Sequence, residues 1–373
     1  LWRQGDFLAT ALGVAGTTGE LVAAAAARPG LRTLPSAPFM HGAAHWNALS
    51  AWTSGGTVVI QDDPTRLVPA DVLATCERAR VTALQIVGDA FARPLLDEAA
   101  AGSYDLSSLR FLLSGGATLS APVKARLAEL VPGVRIVDVL GSSETGRQAV
   151  TESRGGRAGD GAPGPTGPAA FAPGPTSVVL SEDHTRRLAP GDPEAGWLAQ
   201  RGRVPLGYLG DPAKTAATFP VIGGERHAVS GDRVRLLADG RIELLGRESV
   251  TINTGGEKVF AEEVEQALTS HPAVVDAVVV GRPSERWGQE IVAVLALRPG
   301  GGAAPTDDEL RDHVRAGLAG YKVPKAFVRV DRVHRSPAGK PDYAWARAVA
   351  TRSAAGAQPS GDAEGGSVNS SVV

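Results

Sequence analysis

Three turns that follow apolar runs carry the side chains best suited to chemistry. The segment LGSSETG (140–146) closes the run VRIVDVL, and its turn offers backbone N–H groups beside two hydroxyls, Ser142 and Ser143. Such a turn suits an anionic phosphate. Glu144 adds a hard oxygen ligand for Mg2+, the ion that accompanies nucleoside triphosphates. A polar surface turn after a strand accounts for the same letters. LLSGGATLS (112–120) is a second such end, where Gly115 and Gly116 let backbone approach a flat ligand closely or simply make a tight strand-to-helix turn. In SGDRVRL, Asp232 follows a glycine and precedes a strand. A carboxylate there can accept two ribose hydroxyls or cap backbone N–H groups. Arg247 follows at the end of the next apolar stretch, LLGRES, and Lys340 lies on the Pro/Gly-rich segment SPAGKPDY.

These turns need strands and helices to hold them. GGTVVIQ (55–61), VTALQIVG (81–88), LRFLLSGG (109–116) and VRIVDVLG (134–141) read as strands buried on both faces. Helical stretches at 69–80 and 121–130 lie between them, so the alternation implies a parallel, helix-covered sheet that binds ligands at its strand ends. Residues 151–175 are rich in Gly and Pro and read as an irregular connection. SVVLSEDHTRRLAP resembles a hairpin, and RVRLLADGRIELLGR is a strong one, turning at Asp239-Gly240. Beyond Arg247 the pattern becomes α+β, with helices at 261–269 and 307–318 and strands in VVDAVVVGR, EIVAVLALR and AFVRVDRV. The expected division is a large domain over 1–248, a small α+β domain over 249–349, and a disordered Ser/Gly/Ala-rich tail over 350–373.

Bulk properties narrow the class. The 373 residues carry 38 Lys+Arg against 40 Asp+Glu, a net charge of −2, which gives no electrostatic hold on nucleic acid. The single cysteine, Cys76, permits no intrachain disulfide and reads as a core thiol. No apolar run approaches the ~20 residues of a membrane span. With no secretory signal at LWRQGDF, a cytoplasmic enzyme is expected.

The ordered phrases LGSSETG, SGDRV, RESVTINTGGEKVF and SPAGKPDY together resemble the adenylate-forming superfamily of acyl-CoA synthetases, luciferases and peptide-synthetase adenylation domains. Within it, the chain looks like the actinobacterial-type fatty acyl-CoA synthetase branch. The resemblance implies an α/β fold: a mostly parallel, helix-covered sheet with a small β-barrel-like part, followed by a mobile C-terminal domain. It implies a carboxylic acid joined to AMP from ATP and then to coenzyme A. Ser143 would touch the α-phosphate and Glu144 would hold Mg2+, with Gly141 and Ser142 beside them in the nucleotide-binding turn. Gly115, Gly116 and Ala117 would line the adenine and acyl pocket, and Asp232 with Arg247 would contact the ribose. Leu140 stands where the family carries an aromatic against adenine. Ser249 takes the hinge position, while the Gly255-Gly256 bend would approach the pantetheine of CoA. Lys340 would bridge the carboxylate and the α-phosphate as pyrophosphate leaves. His41, in PFMHGAAHW, would lie beside the acyl group, with Ala44 in place of the motif's glycine and His45 and Trp46 along the acyl tunnel. A packing histidine at a helix start is the other reading of His41. GYLGDPAKTAATF (207–219) matches a family phrase with a structural role.

One family element is missing. The Ser/Thr/Gly-rich loop ending in Lys-Gly, which cradles the β- and γ-phosphates, has only the imitation AGTTGE (15–20), without the lysine. LWRQGDF resembles the text that follows the true loop. The expectation is a chain truncated at its N-terminus and inactive alone. The acid is expected to be fatty, aryl or steroid-derived, because MHGAAHW and QIVGDAFARP hold no charge to fix an amino group. A module that loads a carrier protein, or a non-catalytic nucleotide-binding remnant, are the competing readings.

Overall fold

The computed structural model describes residues 1–12, 18–26, 30–154, 170–298 and 303–354. In chain order, α1 (Gln4–Leu12) and α2 (Thr18–Ala26) precede β1 (Arg32–Pro35), α3 (Gly42–Thr53), β2 (Thr57–Val58) and α4 (Pro69–Arg78). Then come β3 (Ala83–Ile86), α5 (Gly88–Ala101), β4 (Phe111–Gly115), α6 (Ala121–Leu130) and β5 (Arg135–Ser142). An antiparallel series follows: β6 (Gly146–Arg154), β7 (Ala170–Pro173), β8 (Ser177–Leu180) and β9 (Ala195–Arg201). After α7 (Pro212–Thr218) it continues with β10 (Val221–Ile222), β11 (Glu225–Leu236) and β12 (Ile242–Arg247).

The chain is mixed α/β, as its β-α alternation implies. Strands β2-β1-β3-β4-β5 pair in parallel, and β5 then pairs antiparallel with β6. Hydrogen bonding runs on through β7, β12, β11 and β9 to β8, so the antiparallel part continues the same sheet of 12 strands. Helices cover the parallel half because each places an apolar stripe on it. Val72, Leu73 and Cys76 of α4, Phe91 and Leu95 of α5, and Leu127 of α6 share one core with Leu84, Ile86 and Leu112. Burial raises the Cys76 thiol to about 12, so it behaves as a small core hydrophobe.

The remaining elements are β13 (Thr251–Thr254), β14 (Glu257–Phe260), α8 (Ala261–Thr269), β15 (Val274–Ser284), β16 (Gly288–Leu297), α9 (Asp307–Arg315), β17 (Ala326–Arg329) and α10 (Tyr343–Ala354). They form a second sheet ordered β14-β13-β16-β15, with β17 beside β16. Strand β15 is apolar on both faces for a visible reason. Ala277 and Val279 pack under α8 and α9, whereas Val278 and Val280 pack under α10.

Several expectations need correction. The Gly/Pro-rich connection is shorter than 151–175, since β6 extends to Arg154 and β7 begins at Ala170; residues 155–169 lie outside the described part. Strand β8 pairs along its length with β9, and the expected hairpin is reduced to the Leu180–Arg187 bridge and the bonds around it, Ser181 N to the Arg186 carbonyl at 2.9 Å and Leu188 N to the Val179 carbonyl at 2.8 Å. The tail does not start at 350: α10 runs to Ala354, with Ala350 fully buried, and residues 355–373 lie outside the described part. Of AGTTGE, residues 15–17 lie outside it as well, and Thr18 opens α2.

Candidate functional site

Because β1, β3, β4 and β5 are parallel and in register, their C-terminal ends lie along one edge, where Ile86 pairs with Ser114 and Gly115 with Val139. The chain leaving β1 delivers His41 as the N-cap of α3, its Nδ1 accepting the Ala43 N–H at 3.3 Å. The packing reading of His41 is therefore correct as far as it goes. Its Nε2, however, faces the β4 end: a Cβ on Gly116 would lie 3.1 Å from it, and Gly116 itself has φ +91. Burial, reinforced by the positive charges of Lys340, His45 and Arg247, lowers the His41 ring from 6.5 to about 4. At neutral pH it is an uncharged imidazole. With Nδ1 accepting, its proton sits on Nε2 and points into the edge.

The β5 end reaches the same place. A Cβ on Gly42 would lie 3.3 Å from the Ser143 hydroxyl. Among the described residues that exposed hydroxyl has no hydrogen-bond partner, so it is available to a ligand. Ser142 is not. Its N–H donates to Thr145 Oγ1 at 3.0 Å and its Oγ accepts the Glu144 N–H at 3.2 Å, so it builds the turn. Gly141 sits at the register shift between β5 and β6, where any Cβ would collide with the Gly146 carbonyl. Leu140 packs in a core with Ala149 and Phe171 and offers no aromatic face. Ala117 lies against Gly88 at the β3 end, and Gly115 approaches Val139.

Glu144 is half-buried, and one oxygen accepts the Tyr208 hydroxyl at 2.7 Å. Burial and that bond push the Tyr208 hydroxyl up to about 12, keeping it a donor. Among the described residues no three acidic, His or Cys side chains cluster as a metal cage. A lone carboxylate fits Mg2+, which usually takes one or two protein oxygens and completes its shell with phosphates and water.

Asp232 on β11 and Arg247 on β12 are directly paired across the hairpin, and the Arg247 Nε donates to Asp232 at 3.0 Å. Ser230 donates to the other carboxylate oxygen, also at 3.0 Å. The carboxylate, followed by burial as an opposing effect, dominates the Arg247 environment and raises its pKa. A register shift between Arg233 and Val234, with Gly231 at φ +92, bends β11 here.

The last component comes from the second sheet. Gly339 is buried against the β3 end, with its would-be Cβ 3.1 Å from Phe91 and 3.3 Å from Val87. Lys340 is therefore carried to the parallel edge, exposed, in electrostatic reach of His41. A cavity of about 440 Å³ opens beside it, bounded by Arg332, His334, Ser336 and Asp342. His41, Gly116, Ser143, Arg247 and Lys340 thus gather around one region. Gly255 and Gly256 do not join them: Gly255 faces Trp287 and Gly256 faces open space.

Some neighbours of the site carry no mark in their local sequence. Trp2 meets Trp46 edge-on and Phe7 lies tilted over it, with ring centroids 5.5 and 4.0 Å away, and the Trp2 indole donates to the Ser143 carbonyl. Tyr208 belongs to a phrase read as purely structural; Asp211 does cap α7 as that reading implies. Glu262, Glu263 and Glu265 have the spacing of a solvated helix face, yet they accept the Arg247 N–H, Lys322 and the Val279 N–H. These partners lie on β12, on β15 and at Lys322, all distant in sequence, so no local pattern marks them.

Known proteins share this arrangement. The model for the AMP-binding enzyme family matches residues 9–209, and that for the AMP-binding enzyme C-terminal domain matches 263–340. The medium-chain acyl-CoA ligase Mig of Mycobacterium avium is 50% identical over 355 residues, covering 93% of this chain and 63% of that protein. The 3-oxocholest-4-en-26-oate–CoA ligase of Rhodococcus rhodochrous is 42% identical, covering 88% of this chain and 58% of that one. The chain therefore spans less than two thirds of these relatives. Among solved structures, an amide bond synthetase from Marinactinospora thermotolerans superposes with a TM-score of 0.74 at 28% identity, covering 92% of this chain and 66% of that one. With the first family model spanning more than half of the sequence and the C-terminal model following it in order, the chain belongs to the adenylate-forming, AMP-binding enzyme family.

Proposed function

We propose that the chain is the greater part of an ATP-dependent acyl-CoA synthetase acting on an apolar fatty, aryl or steroid-derived acid. The reaction has two steps. A carboxylate oxygen attacks the α-phosphorus of ATP, forming acyl-AMP and releasing pyrophosphate. The thiol of coenzyme A then attacks the acyl carbonyl and AMP departs. One observation carries the reading: the loop with Lys340 is docked on the β3 end, within electrostatic reach of His41.

The roles follow from charge and position. Lys340 supplies a cation where charge builds between the attacking carboxylate and the α-phosphate. The unpartnered Ser143 hydroxyl donates to an α-phosphate oxygen. Asp232, held by Arg247, accepts ribose hydroxyls, and Arg247 shares that contact. His41, neutral at pH 7, packs beside the acyl carboxylate without neutralising it. Gly116 keeps the backbone low enough for the adenine and acyl groups to pass, with Gly115 and Ala117 alongside. Glu144 would hold Mg2+, which when bound neutralises the leaving pyrophosphate. The Gly255-Gly256 bend lies apart from these groups, and a role for it with the CoA thiol requires the small domain, 249–349, to turn about Ser249 between steps.

The test uses the protein expressed from its complete reading frame. Pyrophosphate release is measured across a panel of carboxylic acids, before and after Lys340→Ala. The expected result is release with apolar acids, loss of the first step in the variant by at least ~10²-fold, and retention of thiolation from synthetic acyl-AMP. Unchanged pyrophosphate release in Lys340→Ala removes Lys340 from the chemistry.

A further inference from the structure

The loop that carries Lys340 is short and largely exposed, yet its charge must be placed to within a fraction of an ångström to matter. Its own hydrogen bonds define only its shape. Ser336 N donates to the Lys340 carbonyl at 2.9 Å, Gly339 N to the Ser336 carbonyl at 2.8 Å, and Lys340 N to the Ser336 hydroxyl at 3.2 Å. None of these bonds fixes the loop to the rest of the molecule.

Arg335 does. Its Nε and one terminal nitrogen grip both oxygens of Asp276 at 2.8 and 2.6 Å, a two-pronged pairing. The other terminal nitrogen donates to the Gly339 carbonyl at 3.0 Å, the peptide group directly before Lys340. Asp276 stands on β15 at a register shift, and its Oδ1 also accepts the Ala277 N–H at 2.8 Å. The chain of bonds thus runs from a strand buried on both faces, through a rigid guanidinium, to the residue preceding the catalytic cation. Both side chains are mostly enclosed, with 20% and 23% of their surface exposed, so solvent screens them little. Glu265 faces the same guanidinium from α8.

We propose that Asp276 and Arg335 are positioning residues for the adenylation step, acting through Lys340 and touching no substrate. This rests on the assignment of Lys340 made above. A lysine at 335 keeps the charge but cannot grip Asp276 with two prongs and reach the Gly339 carbonyl as well.

The experiment compares Arg335→Lys, Asp276→Asn, Lys340→Ala and the double variant Arg335→Lys/Lys340→Ala in the protein from the complete reading frame. Each half-reaction is measured separately. Arg335→Lys and Asp276→Asn are each expected to lower kcat for pyrophosphate release by ~10- to 100-fold, with KM for ATP and acid nearly constant. Thiolation of preformed acyl-AMP is retained, which also shows that the variants are folded. In the Lys340→Ala background, Arg335→Lys adds no further loss, because residues that act as one unit are not additive. Equal losses in both half-reactions, a further loss on top of Lys340→Ala, or no effect of Arg335→Lys each overturns the inference. If Lys340→Ala itself leaves pyrophosphate release intact, the Lys340 assignment falls and this one with it. If only Arg335→Lys is silent, the Lys340 assignment stands.

Discussion

His41 shows how much a single side chain's surroundings decide. Burial foremost, with three positive neighbours, holds its ring near 4, so it is uncharged at neutral pH. Followed by NMR, its ring carbons are expected to titrate near 4. A midpoint close to 6.5 would mean that the ring is neither enclosed nor faced by these cations. The sign for stability follows: the folded state resists the proton, so stability is complete above 6.5 and is lost as pH falls through 4. The residue types of His41, Asp232, Arg247 and Lys340 were legible because each sits in a short phrase whose order survives in the text. Tyr208 was not, since its bond to Glu144 spans 64 residues and no local pattern marks it. Arg335 and Asp276 were hidden for the same reason, being 59 residues apart.

Among the elements, α8 departs furthest from its sequence pattern. Glu262, Glu263 and Glu265 alternate with Val264 and Ala261 as on a helix with one wet face, yet β12, β15 and Lys322 each supply one of them with a partner. A Cβ on Gly246 of β12 would touch Phe260 and Glu262, which shows how near the two elements come. Glu265 is enclosed between α8, β15 and α10, and burial foremost, then the charge of Glu262, raises its carboxyl from 4.5 to about 8. A raised carboxyl costs nothing while protonated. Its contribution is intact below 4.5 and is lost as pH climbs through 8. Glu265→Gln keeps an oxygen for the Val279 N–H and cannot ionise. It is therefore expected to melt like the parent near pH 4.5 and higher than the parent at pH 8, by a few kcal/mol at most. Identical melting at both pH values would show that Glu265 ionises freely in the fold. The bounds of α8, Ala261–Thr269, nonetheless match its apolar spacing, as those of α6, Ala121–Leu130, match its own, because strong periodicity meets clear ends.

At the scale of the whole molecule, sequence spacing separates a parallel sheet from a barrel-like part but cannot show that β6, β7 and β12 join them into one sheet. That joining is long-range hydrogen bonding, which leaves no periodic mark. The junction between the two sheets is similarly invisible, and charges meet across it beside the packing of Gly246 against Phe260. Lys258 on β14 lies 3.3 Å from Glu248, next to Ser249, and 3.8 Å from Glu182, which also pairs with the buried Arg233 over the face of Trp197. If the small domain turns about Ser249 between the two steps, the Lys258–Glu182 contact belongs to this pose alone. Both partners are about half exposed, so the contact is weak, ~0–1 kcal/mol. Lys258→Ala is therefore expected to slow pyrophosphate release by no more than ~5-fold, and Lys258→Glu, which places repulsion against Glu182 and Glu248, to slow it further. Neither variant should slow thiolation, because this contact would already be broken when that step begins. Salt of about 1 M, which shortens the reach of surface charges to ~3 Å, should bring all three proteins together. A Lys258→Glu enzyme that loses both half-reactions in proportion would show that this junction is fixed scaffolding and that the second step proceeds in the pose described here.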